Sequence, residues 1–187
     1  MRKKYETDLT DEQWEVIAPL FVNMRNRNPN PTYALIDSQS VKTIYAADQR
    51  GFDGEKTKGR KRHVVTDTLG CLLNVTVHSV KTHDTKLGYW SAGLAILCYP
   101  TIKRFCADRG YRGTFIYDMN RLFSRGVDIS EKIKSATWHV EPKRWAVERT
   151  FAWLNNSRRL SKDYEILTSS AEAMIKISHI HTLLKRL

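Results

Sequence analysis

The stretch "RKRHVVTDTLGCLLNVTVHSV", residues 60–80, constrains the fold more than any other. Two runs rich in β-branched residues flank Thr68–Gly70, and such side chains suit a pleated strand better than a helical turn. The junction is short and contains glycine, so the pair reads as an antiparallel hairpin. Its surroundings then set the architecture. "YALIDSQSVK" supplies an earlier strand that delivers Asp37 into a polar stretch, and a glycine-bearing loop, "DQRGFDGEKTKG", links it to the hairpin. From Asp84 to Cys98, Leu87, Trp90, Leu94 and Leu97 recur at helical spacing. "TIKRFCA" returns as a buried strand, "TFIYDMNRLFSRG" reads as a helix ended by Gly126, and "VDISEKI" is a weaker strand. Three strands, a helix, a strand, a helix and a strand predict an α/β layered fold with a mixed sheet.

The last third is helical. "KRWAVERTFAWLNNSRRL" follows Pro142, a residue suited to a first helical turn. Val147, Phe151 and Leu154 form one apolar stripe, and Arg144, Glu148, Asn155 and Arg159 form a polar stripe beside it. A final helix is expected to start at a capping box, Ser169 with Glu172, and to pack Met174, Ile177, Ile180 and Leu184. Near the start, "LTDEQWEVIAPLF" carries another capping box, Thr10 with Gln13, and an Asn- and Pro-rich linker follows it. The 187 residues divide as 1–31, an appended helix and linker, and 32–187, the main domain.

Charge narrows the partner. Lysine and arginine outnumber acids 31 to 20, and five of the seven residues 56–62 are basic. A folded, strongly basic domain with clustered charge is expected to meet nucleic acid. The segment "GFDGEKTKGRKRH" lacks the order of a phosphate-binding P-loop and reads as a basic grip on DNA backbone. Cys71, Cys98 and Cys106 lack metal-site spacing and read as small buried side chains in a reducing compartment. With no long apolar run and no signal-like start, no membrane role is expected and the cytoplasm is the expected location.

Asp37 and Asp108 leave strands, and Glu148 lies beside the apolar stripe of a helix. In "CADRGYRGT", Asp108 is followed by Arg109 and Arg112, a mixture suited to a phosphorylated substrate together with a metal ion. Phosphoryl transfer by two ions about 3.5–4 Å apart requires carboxylates converging from several elements. Hard oxygen ligands of this kind suit two Mg²⁺ or Mn²⁺ ions.

The blocks "IDSQSVK", "GRKRHVVTDTLG", "ADRGYRG" and "RWAVERTFAWLNNSRRLSKDYE" closely resemble bacterial insertion-sequence transposases of the DDE type, which have a ribonuclease-H-like core. The resemblance implies that Asp37, Asp108 and Glu148 are the metal-binding triad. It also implies hydrolytic nicking and transfer of a 3′-hydroxyl into double-stranded DNA, with a homodimer on DNA as a possible assembly. The family has a longer helical region, with DNA-end recognition helices, before the first catalytic aspartate, so this chain reads as internally shortened. Broader relatives place a Tyr before the Arg and a Lys after the Glu, where this chain has Glu141 and Asn155, and Arg158 and Arg159 are candidate substitutes. A non-catalytic DNA-binding remnant is the alternative reading, and a structure-selective nuclease a third.

Three groups of basic residues are expected on DNA. Lys42, Lys58, Arg60, Lys61 and Arg62 surround the hairpin entry; Arg109 and Arg112 flank the second aspartate; Arg144, Arg158 and Arg159 belong to the helical third. His78 and His83 give only a weak metal signal. Trp153 is expected in the core, Trp145 is open between core and surface, and Tyr111 either packs on DNA sugar or closes its turn.

Overall fold

The computed structural model describes residues 30–52, 58–82, 84–130 and 142–185, with side chains omitted for 84 and 142–144. The predicted helix over 9–21, Glu141 and His83 lie outside the described residues.

Six strands form one mixed sheet: β1 Tyr33–Lys42, β2 Gly51–Phe52, β3 Lys58–Thr66, β4 Leu72–Ser79, β5 Arg104–Ala107 and β6 Gly126–Ile129. The sheet runs β2-β3-β1-β5-β6, with β4 also paired to β3. The expected hairpin is β3–β4, whose antiparallel register sets Val64 opposite Val75. Its turn needs Gly70, which has φ +81°, a left-handed conformation that favours glycine. β1 runs antiparallel to β3, placing Asp37 opposite Val64, and β5 lies parallel to β1 on the other side.

The sheet separates two cores. Leu35, Val64, Val75 and Cys106 on one face pack with α3, Pro142–Asn155, and α4, Thr168–Leu184. Ala34, Ile36, Val65 and Phe105 on the other pack with α1, Asp84–Cys98, and α2, Thr114–Phe123. The period-2 alternation of each strand does this sorting, so neighbours such as Leu35 and Ile36 enter opposite cores. No helix among the described residues is long and apolar enough to cross a membrane.

Several helix details differ from the sequence expectation. In α1 the buried residues are small, Ser91, Ala92 and Ala95, whereas Trp90 and Leu97 are exposed. Close approach to α2 and the turn before it selects small side chains: a Cβ at Gly88 would stand 2.6 Å from the Tyr111 ring and one at Gly93 2.7 Å from the Phe123 ring. In α4 the inner residues are Ala171, Ile175, Ser178 and His179, while Ile177 and Ile180 face outward. The Ser169–Glu172 capping box does not form either, because the helix starts earlier, after Leu167, without a side-chain cap. Glu172 Oε1 instead accepts from the Val77 amide, and His179 Nε2 accepts from Leu72. These two groups satisfy the outer edge of β4, whose amides would otherwise remain unpaired. α2 ends at Ser124, in left-handed geometry with φ 52°, and Gly126 opens β6 rather than closing the helix.

Candidate active site

Asp37 and Asp108 are brought together by strand register. β5 matches β1 as Tyr33 to Arg104 and Leu35 to Cys106. Two residues further along each chain are the two aspartates, on the face that Leu35 and Cys106 share with α3. Both line one small cleft with Leu35, Ile36, Cys106, Ala107 and Val147 of α3. Each carboxylate is oriented locally. Asp37 Oδ1 accepts from the Ser38 amide at 2.7 Å, and Asp108 Oδ1 accepts from the Gly110 amide at 2.8 Å. Asp108 therefore caps the short 3₁₀ turn Arg109–Tyr111.

Tyr111 decides where that turn sits. Its ring is buried, edge-on to Phe115 with centroids 5.0 Å apart and edge-on to His63 at 6.0 Å. It closes the turn as core and does not offer its ring to a ligand. Arg109 and Arg112 are exposed on either side of it.

Glu148 follows Val147 on α3 and is exposed. The helix is fixed by the hairpin: Arg149 Nη2 donates to Leu69 O at 2.6 Å, and Thr150 Oγ1 donates to Gly70 O at 2.8 Å. The Arg149 guanidinium lies 4.4 Å from the Trp145 ring and 4.8 Å from the Trp153 ring. Trp153 is thus half-buried beside a cation and stands outside the apolar core expected for it. Arg149 and Thr150 were not singled out in the sequence, since their role depends on a turn 80 positions earlier. At the end of α3, Asn155 Oδ1 accepts from Gln39, which shares the Asp37 face of β1.

The carboxylates suit a hard divalent cation, and Cys106 beneath them belongs to the core. Among the described residues, however, no three His, Cys, Asp or Glu side chains gather closely enough to hold an ion. Two of the three expected acids share a cleft, and the third stands on the helix that lines it.

The basic residues separate into distinct environments. Arg60 and Arg62 are corrected from DNA ligands to interior residues, at 0% and 1% exposure. Strand alternation turns both into the sheet–helix interface, where backbone carbonyls and acids take up their donors. Arg60 Nε donates to Asp48 O, and Nη1 donates to Asp163 Oδ2 and Glu165 O. Its Nη2 also bonds Asp48 Oδ1 and Ile166 O. Arg62 Nη1 donates to Leu160 O, and burial lowers its pKa against an opposing pull from Asp163. Lys42 and Lys58 are exposed, and Lys61 is half-buried. Arg158 and Arg159 follow α3 in a 3₁₀ turn, so the polar stripe expected to include Arg159 ends at Asn155. Arg159 pairs with Glu165 at 2.7 Å, while the Arg144 side chain lies outside the described residues.

His78 is buried and bonded to His63 at 2.7 Å. None of the three cysteines is in a disulfide, and Cys98 is exposed, contrary to the buried position expected for it.

A six-stranded mixed sheet with helices on both faces, with Asp37 on β1 and Asp108 just past the neighbouring β5, is the arrangement of the ribonuclease-H-like class. Residues 29–183 match the family model described as transposase DDE domain, and the chain belongs to that family of polynucleotidyl-transferase enzymes. The fold is also similar to a chain of the simian T-cell lymphotropic virus intasome in complex with a PP2A regulatory subunit, with TM-score 0.53 and 14% identity. That alignment covers 80% of this chain and 49% of the other. The catalytic core of BIV integrase aligns at TM-score 0.46 and 11% identity, over 81% of this chain and 82% of that one. The catalytic domain of Mos1 mariner transposase aligns at 0.47 and 11%, over 98% and 94%. No curated protein sequence matches the chain.

Proposed function

We propose that the chain is a shortened insertion-sequence transposase that nicks DNA and transfers the resulting 3′-hydroxyl, with Asp37, Asp108 and Glu148 as its carboxylates. The observation that carries this reading is that Asp37, on β1, and Asp108, just past the end of the neighbouring β5, line one cleft. Two Mg²⁺ or Mn²⁺ ions, when bound, would prepare the attacking oxygen and stabilise the departing one. Asp37 and Asp108 would hold them, each oriented by a neighbouring backbone amide. Arg109 and Arg112, both exposed, would neutralise flanking phosphates. Glu148 would complete the set from α3. Phosphate contacts from the exposed basic residues would supply affinity without sequence information, and a chain shortened before β1 would lack the family's end-recognition helices. Little preference for any terminal repeat is the expected consequence.

A second reading, a DNA-binding remnant without chemistry, is favoured by the failure of the three acids to gather among the described residues. A plasmid-nicking assay with Mg²⁺ or Mn²⁺ and a parallel duplex-binding assay separate the two. Asp108→Asn should abolish nicking and leave duplex affinity equal or higher, since a negative charge has left a phosphate-facing cleft. Parent protein that binds duplex and never nicks would establish the remnant instead.

A further inference from the structure

At the C-terminal end of β1, away from the aspartates, Lys42, Thr43, Arg50, Phe52, Lys58 and Lys162 line an open groove. Four of the six are cations. No carboxylate among the described residues pairs with any of them. Asp163, next to Lys162, is buried and bonded to Arg60, so its charge is compensated inside. Among the described residues the groove therefore presents uncompensated positive charge, the complement of a polyanion.

Phe52 in the groove and Tyr45 beside it, next to Arg50, narrow the ligand further. Phe52 pairs directly with Lys58 across β2 and β3, so ring and ammonium stand side by side on one face. Phe52 is 51% exposed and Tyr45 is 91% exposed, with the Arg50 guanidinium 5.5 Å over the Tyr45 ring. Duplex DNA would present phosphates to the cations and leave the rings unused, because its bases are stacked inside. An unpaired strand offers phosphates and base faces together, and cations interleaved with exposed rings are how sequence-tolerant single-strand sites are built.

We infer that this groove binds an unpaired DNA strand, with phosphates on Lys42, Arg50, Lys58 and Lys162 and bases on Phe52 and Tyr45. Lys42 is five residues along β1 from Asp37, about 16 Å at roughly 3.3 Å per residue. The inference rests on the transposase reading only for the origin of the strand, because an enzyme that cuts and joins DNA strands handles unpaired ends.

The test is fluorescence anisotropy with labelled oligo-dT and a duplex of equal length, in EDTA and across a salt series. Phe52→Ala should weaken oligo-dT binding by about 5- to 150-fold, the loss of one stacked base. Duplex binding should not change, and Phe52→Trp should restore the oligo-dT affinity. Lys58→Ala combined with Lys162→Ala, both on exposed side chains, should reduce the log–log salt slope for oligo-dT by about 0.7 per lost contact. Equal losses on duplex and oligo-dT would overturn the inference in favour of a duplex-backbone surface, and no loss on either would reduce the groove to a solvated cluster. Because binding is read without cleavage, a failed nicking assay leaves this result standing.

Discussion

Replacing Arg60 with Met separates a structural role from a DNA-binding one. The guanidinium is fully buried and joins three segments: β3 itself, the Asp48 region after β1, and Asp163–Ile166 ahead of α4. Arg60→Met removes the cation and leaves Asp163, at 2% exposure, without its buried partner. Breaking a buried pair from one side costs about 3–5 kcal/mol. At about 2–4 °C per kcal/mol for a domain of this size, the melting temperature should fall by roughly 6–20 °C. Adding Asp163→Leu should recover part of the loss, because the orphaned charge disappears with it. Calorimetry of the parent, both single variants and the double variant measures the coupling. A phosphate ligand would behave differently: Arg60→Met would then reduce the salt slope of duplex binding by about 0.9 and barely move the melting temperature. That outcome would refute the interior assignment.

Two further perturbations test the supports around the cleft. Gly88→Ala puts a methyl 2.6 Å from the buried Tyr111 ring, and overpacking of about 1–3 kcal/mol should outweigh a helix-propensity gain of about 1 kcal/mol. A lower melting temperature together with weaker nicking is expected, since Tyr111 seats the turn that Asp108 caps; a more stable variant would contradict the contact. Asp67 has its pKa raised by burial, against hydrogen bonds from the Cys71 and Leu69 amides that lower it. The folded state therefore holds its proton to higher pH than the unfolded chain, and this residue's contribution to stability falls as pH rises through that window. Asp67→Asn should accordingly gain in melting temperature relative to the parent between pH 3 and pH 7, and a gap that narrows over that range would reverse the sign.

The element order was legible because its signals are local. β-branched runs around Thr68–Gly70 produced the β3–β4 hairpin, and the apolar stripe Val147, Phe151 and Leu154 is buried as expected. Asp37 and Asp108 stood out because acids leaving apolar strands are conspicuous in a linear reading. The faces of α1 and α4 were misread for a different reason. Large apolar residues mark a helix in sequence, but close packing of α1 against α2 selects small ones, so Trp90 points outward, while α4 turns Ile175 and His179 inward and leaves Ile177 and Ile180 outside.

The sequence by itself determined the alternation of strands and helices, an acid within β1 and another just past β5, and the basic character, since each depends on neighbouring residues alone. Tertiary structure decided which arginines are available to a ligand. Lys61 sits between Arg60 and Arg62 in one basic run, yet the partners that draw Arg60 inward lie 103 to 106 positions away at Asp163, Glu165 and Ile166. It likewise decided the position of Glu148, through a hairpin turn 80 residues earlier that holds Arg149 and Thr150. Charge is a property of the residue, whereas burial and pairing are properties of whatever the fold brings against it.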